Sequence, residues 1–214
     1  RFSTQGDSEV LPHGYEQWGE HLPEHLRGMF AFAIWDEQNE RLYAARDPFG
    51  IKPFYYAPTD GQFVFASEIK GILPHPSYKK KLNQEALEQY LSFQYSALEK
   101  TFFQGIRQLK PGHFLTYNRK SASLELNPYF VPTLHPQSLN GKKQEEEWIS
   151  RLDQTIENSV KTHMAADVEV GAFLSGGVDS GLVAAEFTGT KTFTVGFGKG
   201  QSRYNEMPLA KELA

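Results

Sequence analysis

The chain has 214 residues, and 22 Lys and Arg against 26 Asp and Glu give it a net charge of −4. This charge excludes the general basic surface of many nucleic-acid-binding proteins, and no apolar run is long enough to span a membrane. The chain contains no cysteine, which excludes disulfides and thiolate metal sites and predicts a reducing, cytoplasmic location.

Short strand-like segments separated by turns dominate the first half of the chain. After a helix predicted over residues 7–19, strands follow at 28–36, 41–45, 53–57 and 62–66, and their short connections predict an antiparallel meander. Both faces of these strands are largely apolar, which indicates that the sheet is covered on both sides. We therefore predict an α+β domain built as a four-layer α-β-β-α sandwich.

The middle of the chain leads from this domain to a second one. A helix is predicted to begin at Asn83, and a strand follows the turn at Pro111 and Gly112. Residues 118–141 are rich in Pro, Ser and Asn, so regular structure is not expected there. We place the domains and their linker at residues 1–125 for the first domain, 126–143 for the linker and 144–214 for the second domain.

A long amphipathic helix opens the second domain at residues 145–164. Acidic residues occupy its first turn and basic residues its last, as the helix dipole favours. Its apolar residues recur at helical spacing and predict a face packed in the core: Ile149, Leu152, Ile156, Val160 and Met164.

The sequence Ser175-Gly-Gly-Val-Asp-Ser180 stands between a predicted strand at 167–173 and a predicted helix that begins at Gly181. A second strand at 191–197 completes a strand-helix-strand unit, which predicts a parallel α/β sheet. Free backbone N–H groups at a helix N-terminus bind anions, and glycines let a phosphate approach closely. Asp179 beside phosphates would need a bridging Mg²⁺. The alternative is a tight glycine-rich turn without a ligand.

This loop resembles the pyrophosphate-binding loop, Ser-Gly-Gly-x-Asp-Ser, of the adenylating ATP pyrophosphatases. The resemblance implies an incomplete nucleotide-binding domain that uses ATP and Mg²⁺, with Asp179 as a metal ligand. It implies that Leu174 and Val195 contact the adenosine through their backbone. It further implies that four residues hold the pyrophosphate: Ser175, Gly176, Gly177 and Ser180.

Two positions near this loop depart from the family pattern. Gly181 stands where the family commonly has Ser, although we expect its backbone N–H to remain available. Asn205 stands where Asp is frequent, and Glu206 follows it. A carboxylate at position 205 is therefore not expected.

Three motifs in the first half, at residues 27–36, 45–56 and 65–70, resemble the glutaminase domain of glutamine-hydrolysing asparagine synthetases. That domain is a class II glutamine amidotransferase with an N-terminal-nucleophile fold. The resemblance implies that Asp7 accepts hydrogen bonds from the α-ammonium of glutamine, whereas the alternative is that Asp7 caps the following helix. The family's nucleophile, an N-terminal cysteine, is absent from this chain, so the 214 residues alone are expected to be inactive.

The two resemblances together imply glutamine-dependent asparagine synthesis. Aspartate would react with ATP to give β-aspartyl-AMP and pyrophosphate, and ammonia from glutamine would displace AMP. The implied partners are glutamine, aspartate and ATP, without nucleic acid or membrane, in a homodimer. Three alternatives remain at this point: a synthetase that forms a β-lactam or macrolactam from another acid, a phosphoribosyl-pyrophosphate amidotransferase, which lacks the Ser-Gly-Gly-x-Asp-Ser loop, and a non-catalytic nucleotide-sensing remnant.

Other polar residues are interpreted as structural. Arg46 and Asp47 flank a Pro-Phe-Gly turn, which favours an ion pair or a turn cap over a catalytic role. The histidines are scattered without the spacing of metal ligands: His13, His21, His25, His75, His113, His135 and His163.

Overall fold

A computed structural model describes residues 2–59, 61–95, 99–136, 141–198 and 205–214. The chain divides into two compact units, Arg1–Leu134 and His135–Ala214. Among the described residues, no helix is both long enough and apolar enough to cross a bilayer.

The first unit contains three α-helices and seven strands within the residues that the structure describes. A 3₁₀ turn at Asp7–Glu9 precedes α1, and a longer 3₁₀ helix at Gly19–His25 follows it. The helices are α1 (Val10–Trp18), α2 (Ile69–Ile72) and α3 (Gln84–Phe93). The strands are β1 (Ala31–Asp36), β2 (Arg41–Arg46), β3 (Tyr55–Thr59), β4 (Gln62–Ala66), β5 (Arg107–Gln108), β6 (His113–Asn118) and β7 (Leu124–Pro128).

The seven strands form two antiparallel sheets. One sheet has the order β1-β2-β6-β7 and the other β4-β3-β5. The predicted single meander is therefore wrong, because β2 pairs with β6 and not with β3. The four predicted strands divide into two hairpins, which lie in different sheets.

Three apolar clusters show how the layers of the first unit stack. Successive residues of β2 point to opposite faces, so Tyr43 packs with Leu22 of the 3₁₀ helix while Ala44 packs with Tyr56 of the other sheet. On the far side of that second sheet, Ile72 of α2 packs against β3. The order is helix, sheet, sheet, helix, and the predicted four-layer sandwich is confirmed for this unit.

Strand β7 corrects the expectation that residues 118–141 lack regular structure. Leu124 to Pro128 pair with β6, and Leu124 and Leu126 pack against the cluster between the sheets. Pro128 is the last residue of β7, which lies at the edge of its sheet, where proline is tolerated. The sandwich therefore continues past residue 125, the predicted end of the first domain.

Two buried tyrosines of the sandwich differ in their hydroxyl partners. The Tyr43 hydroxyl donates to the Glu20 carbonyl oxygen at 3.0 Å. The buried Tyr56 hydroxyl lies near Arg107, its partner across the strands, but makes no hydrogen bond of regular geometry with the described residues. We expect Tyr43→Phe to lower the free energy of unfolding by about 1–2 kcal/mol, because a partly buried carbonyl loses its donor. Tyr56→Phe should change it by less than about 0.5 kcal/mol. Urea unfolding of both variants checks this, and a greater loss for Tyr56→Phe would contradict it.

The second unit contains helices α4 (Lys142–His163), α5 (Val178–Glu186) and α6 (Met207–Leu213) and strands β8 (Ala172–Phe173) and β9 (Thr192–Phe193). The two strands pair in parallel around α5, as the strand-helix-strand pattern predicts. Each strand is only two residues long, shorter than the predicted 167–173 and 191–197.

The apolar stripe of α4 is only partly packed. Ile156, Val160 and Met164 are half-buried, but Ile149 and Leu152 are each 60% exposed, and no residue of α4 is fully buried. The expectation that the whole stripe is core is therefore wrong for its N-terminal half. In the described part of this unit, α4 makes its main packing contact with α5, a helix of nine residues that cannot cover 22.

Candidate functional site

The loop from Leu174 to Ser180 leaves the parallel strand pair at a well-anchored point. The Leu174 side chain is buried, and its N–H donates to the Phe193 carbonyl oxygen at 2.9 Å. The Thr194 hydroxyl donates to the Leu174 carbonyl oxygen at 2.7 Å. Both backbone polar groups of Leu174 are thus held by the neighbouring strand, which fixes where the loop begins.

Ser175 and Ser180 close the loop across its mouth. Their hydroxyl oxygens lie 2.9 Å apart, and the Ser175 N–H donates to the Ser180 hydroxyl oxygen at 3.2 Å. The Ser180 hydroxyl also lies 3.1 Å from the Gly177 carbonyl oxygen, to which it can donate. The structure therefore brings together the two serines that the sequence assigned to one anion site.

The loop presents unused backbone donors at the start of α5. The first hydrogen bond of this helix runs from the Gly181 N–H to the Gly177 carbonyl oxygen at 2.9 Å, so the expectation that the Gly181 N–H stays available is wrong. No acceptor among the described residues contacts the N–H groups of Gly176, Val178, Asp179 and Ser180. Such donors, with the positive end of the helix dipole, favour a phosphate.

Position 176 has no room for a side chain, because neighbouring residues as well as any ligand lie close to the Gly176 backbone. Its φ angle of 84° lies in the left-handed region that favours glycine. A Cβ at this position would lie 2.6 Å from the Leu209 Cβ and 3.1 Å from the Ala210 backbone nitrogen, both in α6. Helix α6 therefore packs directly on the loop, a contact that the sequence pattern did not indicate.

Asp179 lies in the first turn of α5 with an exposed side chain. No described residue forms a hydrogen bond or an ion pair with its carboxylate, and no group of three or more His, Asp or Glu suited to a metal occurs among the described residues. Mg²⁺ is commonly held by one or two carboxylates together with phosphate oxygens and water. A single carboxylate beside the free N–H groups of this loop fits that donor set, provided that the loop holds a phosphate.

Val195 is the remaining residue that the family resemblance assigned to this site. Val195 follows β9, the strand that pairs with β8, and the residue is 68% exposed. Val178, in the variable position of the motif, is 88% exposed. Asn205 accepts a hydrogen bond from the Met207 N–H at 3.3 Å, so its amide stabilises the start of α6.

Asp7 is the first residue of the 3₁₀ turn in the first unit. Among the residues that the structure describes, one donor bonds to its carboxylate, the Ser8 hydroxyl at 3.3 Å, and its side chain is exposed. Helix α1 begins at Val10 and has no side-chain cap. The alternative that Asp7 caps this helix is therefore wrong, and the carboxylate is open to a ligand.

Glu9 is a feature of this turn that the sequence interpretation missed. Its carboxylate accepts hydrogen bonds from the backbone N–H and the hydroxyl of both Ser3 and Thr4, at 2.5–2.9 Å. The hydrogen bond from the Thr4 hydroxyl, followed by those from the N–H groups of Ser3 and Thr4, lowers the pKa of Glu9 to about 2. The sequence carries no strong signal for these bonds, because their partners lie five and six residues away and outside any helix.

Arg46 and Asp47 are both buried and bind backbone atoms. Asp47, which is 1% exposed, accepts hydrogen bonds from the N–H groups of Phe49, Ile51 and Lys52 at 2.9–3.2 Å. The Arg46 guanidinium donates to the carbonyl oxygens of Lys52, Leu109 and Gly50 at 2.5–2.7 Å, and its burial lowers its pKa. The turn-cap interpretation is confirmed, and the two side chains form no direct ion pair.

Family models match both parts of the chain. Residues 1–130 match a model described as a glutamine amidotransferase domain, and residues 151–214 match one described as asparagine synthase.

Curated relatives match along nearly the whole chain. Asparagine synthetase 1 (glutamine-hydrolysing) of Bacillus subtilis is 39% identical over 100% of this chain and 33% of its own length. A putative glutamine-hydrolysing asparagine synthetase of Mycobacterium tuberculosis is 37% identical over 92% of this chain and 31% of its own length. The chain thus spans about a third of these relatives.

A solved structure titled as the allosteric regulatory enzyme of purine biosynthesis is also similar. It is 16% identical, with a TM-score of 0.41 over 95% of this chain and 43% of the other chain. A likeness at this level carries no conclusion about this protein.

Proposed function

The chain belongs to the glutamine amidotransferase domain family, whose model covers residues 1–130, and from this premise we propose that it is part of a glutamine-dependent asparagine synthetase. The observation that supports this most directly is the loop at residues 175–180, inside the asparagine synthase match, in which the N–H groups of Gly176 and of residues 178–180 have no acceptor among the described residues. An amidotransferase domain followed by an ATP-binding loop fits a ligase that uses glutamine as its nitrogen donor. The names of the relatives favour aspartate over the acids of β-lactam- or macrolactam-forming enzymes.

The loop would bind the β- and γ-phosphates of ATP as one unit. The free N–H groups and the hydroxyls of Ser175 and Ser180 are the donors. The adenosine would contact the backbone of Val195 and the second lone pair of the Leu174 carbonyl oxygen, since the Leu174 N–H is already bonded within the sheet. Holding the two outer phosphates together favours attack at the α-phosphorus, with pyrophosphate as the leaving group. A Mg²⁺ ion held by Asp179 would neutralise charge on the phosphates.

The product of this attack by the side-chain carboxylate of aspartate is β-aspartyl-AMP. Ammonia from glutamine then displaces AMP and gives asparagine. Release of ammonia within the same protein limits its protonation and loss to solvent. We extend the proposal to a cytoplasmic homodimer, as the family resemblance implies.

Glutamine would be recognised in the first unit through Asp7. Its carboxylate is exposed and accepts only the weak bond from Ser8 among the described residues, so it can accept from an α-ammonium group. The nucleophilic cysteine of the family is not among these 214 residues. The tests below therefore use the full-length protein.

Asp7→Asn tests the glutamine half of this proposal. We expect kcat/KM for glutamine to fall roughly 10- to 100-fold, because a charge-assisted hydrogen bond contributes about 1.5–3 kcal/mol. Asparagine formation from free ammonia should be unchanged. The measurement compares asparagine produced from glutamine and from ammonium salts, with aspartate and ATP present.

Ser8→Ala is the matched control for this experiment. It removes the one hydroxyl that contacts the Asp7 carboxylate, and we expect less than a threefold effect with either nitrogen source. Equal losses from Asp7→Asn with glutamine and with ammonia would contradict the role of Asp7. A full-length protein that makes no asparagine from either source would contradict the proposed function itself.

A further inference from the structure

The segment from Ser3 to Glu9 is closed on itself by one carboxylate. Four hydrogen bonds join the Glu9 carboxylate to Ser3 and Thr4, and we call this group the Glu9 clamp. The Glu9 side chain is only 14% exposed. Gly6 has an extended backbone, and the 3₁₀ turn starts at the next residue, Asp7. Asp7 therefore lies within a short loop whose two ends are tied together.

We propose that Glu9 is a positioning residue that fixes Asp7 for the α-ammonium group of the substrate. This inference rests on the proposed function, in which Asp7 binds glutamine. Asp7 itself has one weak side-chain contact, so its location depends on its backbone. The clamp sets that backbone from both sides.

The charges around the clamp fit this division of roles. Four donors compensate the Glu9 carboxylate, and because the pKa of Glu9 is near 2 it stays ionised at ordinary assay pH. His13 lies on its other side, with Nε2 3.6 Å from Glu9 and Nδ1 3.5 Å from Glu16. Among the described residues, the Asp7 carboxylate accepts only the bond from Ser8, so it is the acceptor of this turn that a substrate ammonium would meet.

The direction of the expected effect follows from geometry. A binding group displaced by about 1 Å loses up to about 100-fold in effectiveness. Loss of the clamp leaves the Asp7 carboxylate in place chemically but lets its backbone move. Binding of the amino-acid end of glutamine should weaken, while the chemistry at the amide end should not change.

Glu9→Gln in the full-length protein tests this role, with Glu16→Gln as the matched control. Both substitutions remove a carboxylate that faces His13, but Glu16 makes no contact with Ser3 or Thr4 among the described residues. For Glu9→Gln we expect KM for glutamine to rise about tenfold with kcat within twofold, and ammonia-dependent synthesis unchanged. Glu16→Gln should match the wild type in all three.

A glutamine analogue without the α-amino group, glutaramic acid, separates positioning from general loss of structure. The wild type should have a higher kcat/KM for glutamine than for glutaramic acid. Glu9→Gln should lower kcat/KM for glutamine and leave that for glutaramic acid unchanged, so the preference becomes smaller. Equal losses of kcat/KM for the two compounds would show a merely structural role and overturn the inference.

The remaining outcomes are also decisive. If Glu9→Gln does not fold, Thr4→Val removes one hydroxyl bond of the clamp and should raise KM for glutamine about threefold. If the wild type hydrolyses glutamine but Glu9→Gln, or Thr4→Val in its place, has the same KM for glutamine as Glu16→Gln, the role of Glu9 is overturned. The proposed function is then left intact. A wild type without glutamine-dependent activity overturns the proposed function and this role with it.

Discussion

Asp179→Asn in the full-length protein is expected to reduce aspartate-dependent pyrophosphate release at least about 100-fold. The amide keeps the size of the side chain but removes the negative charge of the carboxylate, the kind of ligand that Mg²⁺ prefers. Metal-assisted stabilisation of charge in the transition state contributes several kcal/mol. The fold should be unaffected, because no described residue bonds to this carboxylate. Hydrolysis of glutamine should continue, since Asp7 lies in the other unit.

Pyrophosphate can be followed with a coupled assay, and glutamate formation measures glutamine hydrolysis in the same samples. The matched control is Glu186→Gln, which neutralises the acid at the last residue of the same helix and should change pyrophosphate release less than about twofold. Pyrophosphate release at the wild-type rate from Asp179→Asn would remove Asp179 from the metal site.

Asp47→Ala is expected to lower the stability of the first unit by about 3–5 kcal/mol. The change leaves three partly buried backbone N–H groups without the acceptor that the buried Asp47 side chain provides, and it removes the negative charge adjacent to the buried Arg46. A loss of this size would lower the midpoint of thermal unfolding of this unit by about 10 °C or more.

Differential scanning calorimetry of the full-length protein measures this midpoint in the wild type and in Asp47→Ala. Glu68→Ala is the control, because Glu68 is exposed and its ion pair in the described part of the chain is with the exposed Lys70 at 2.6 Å. Exposed pairs contribute less than about 1 kcal/mol, so its midpoint should stay close to that of the wild type. An equally small shift for Asp47→Ala would show that the turn does not depend on this side chain.

The layers of the first unit were predictable from sequence, but the pairing of its strands was not. Apolar residues on both faces of β2 require cover on both sides, and that is a local property. Whether β2 pairs with β3 or with β6 depends on contacts across about 70 residues and on the buried Asp47 turn, which carries the chain from one sheet to the other. The packing of the apolar stripe of α4 could not be predicted for the same reason. Periodicity identifies an apolar face but not the element that covers it.

The candidate site was predictable to the extent that its geometry is local. The Ser175 to Ser180 loop depends on residue types within six positions, so the motif alone indicated its donors and its closing serines. The Glu9 clamp and the packing of α6 on Gly176 depend on partners with no periodic relation to them. The Gly181 N–H was misjudged because the sequence does not show that α5 begins at Val178, three residues before the predicted start.

The exposed side chain of Val178 makes this loop accessible to spectroscopy. The side chain of Val178 is almost fully exposed, so replacing it should disturb little packing. Because the 214 residues contain no cysteine, V178C introduces a single thiol at the start of α5 within this part of the protein. A fluorophore attached there would stand beside the donors of the loop without occupying them. Nucleotide binding can then be followed by a change in emission, independently of turnover.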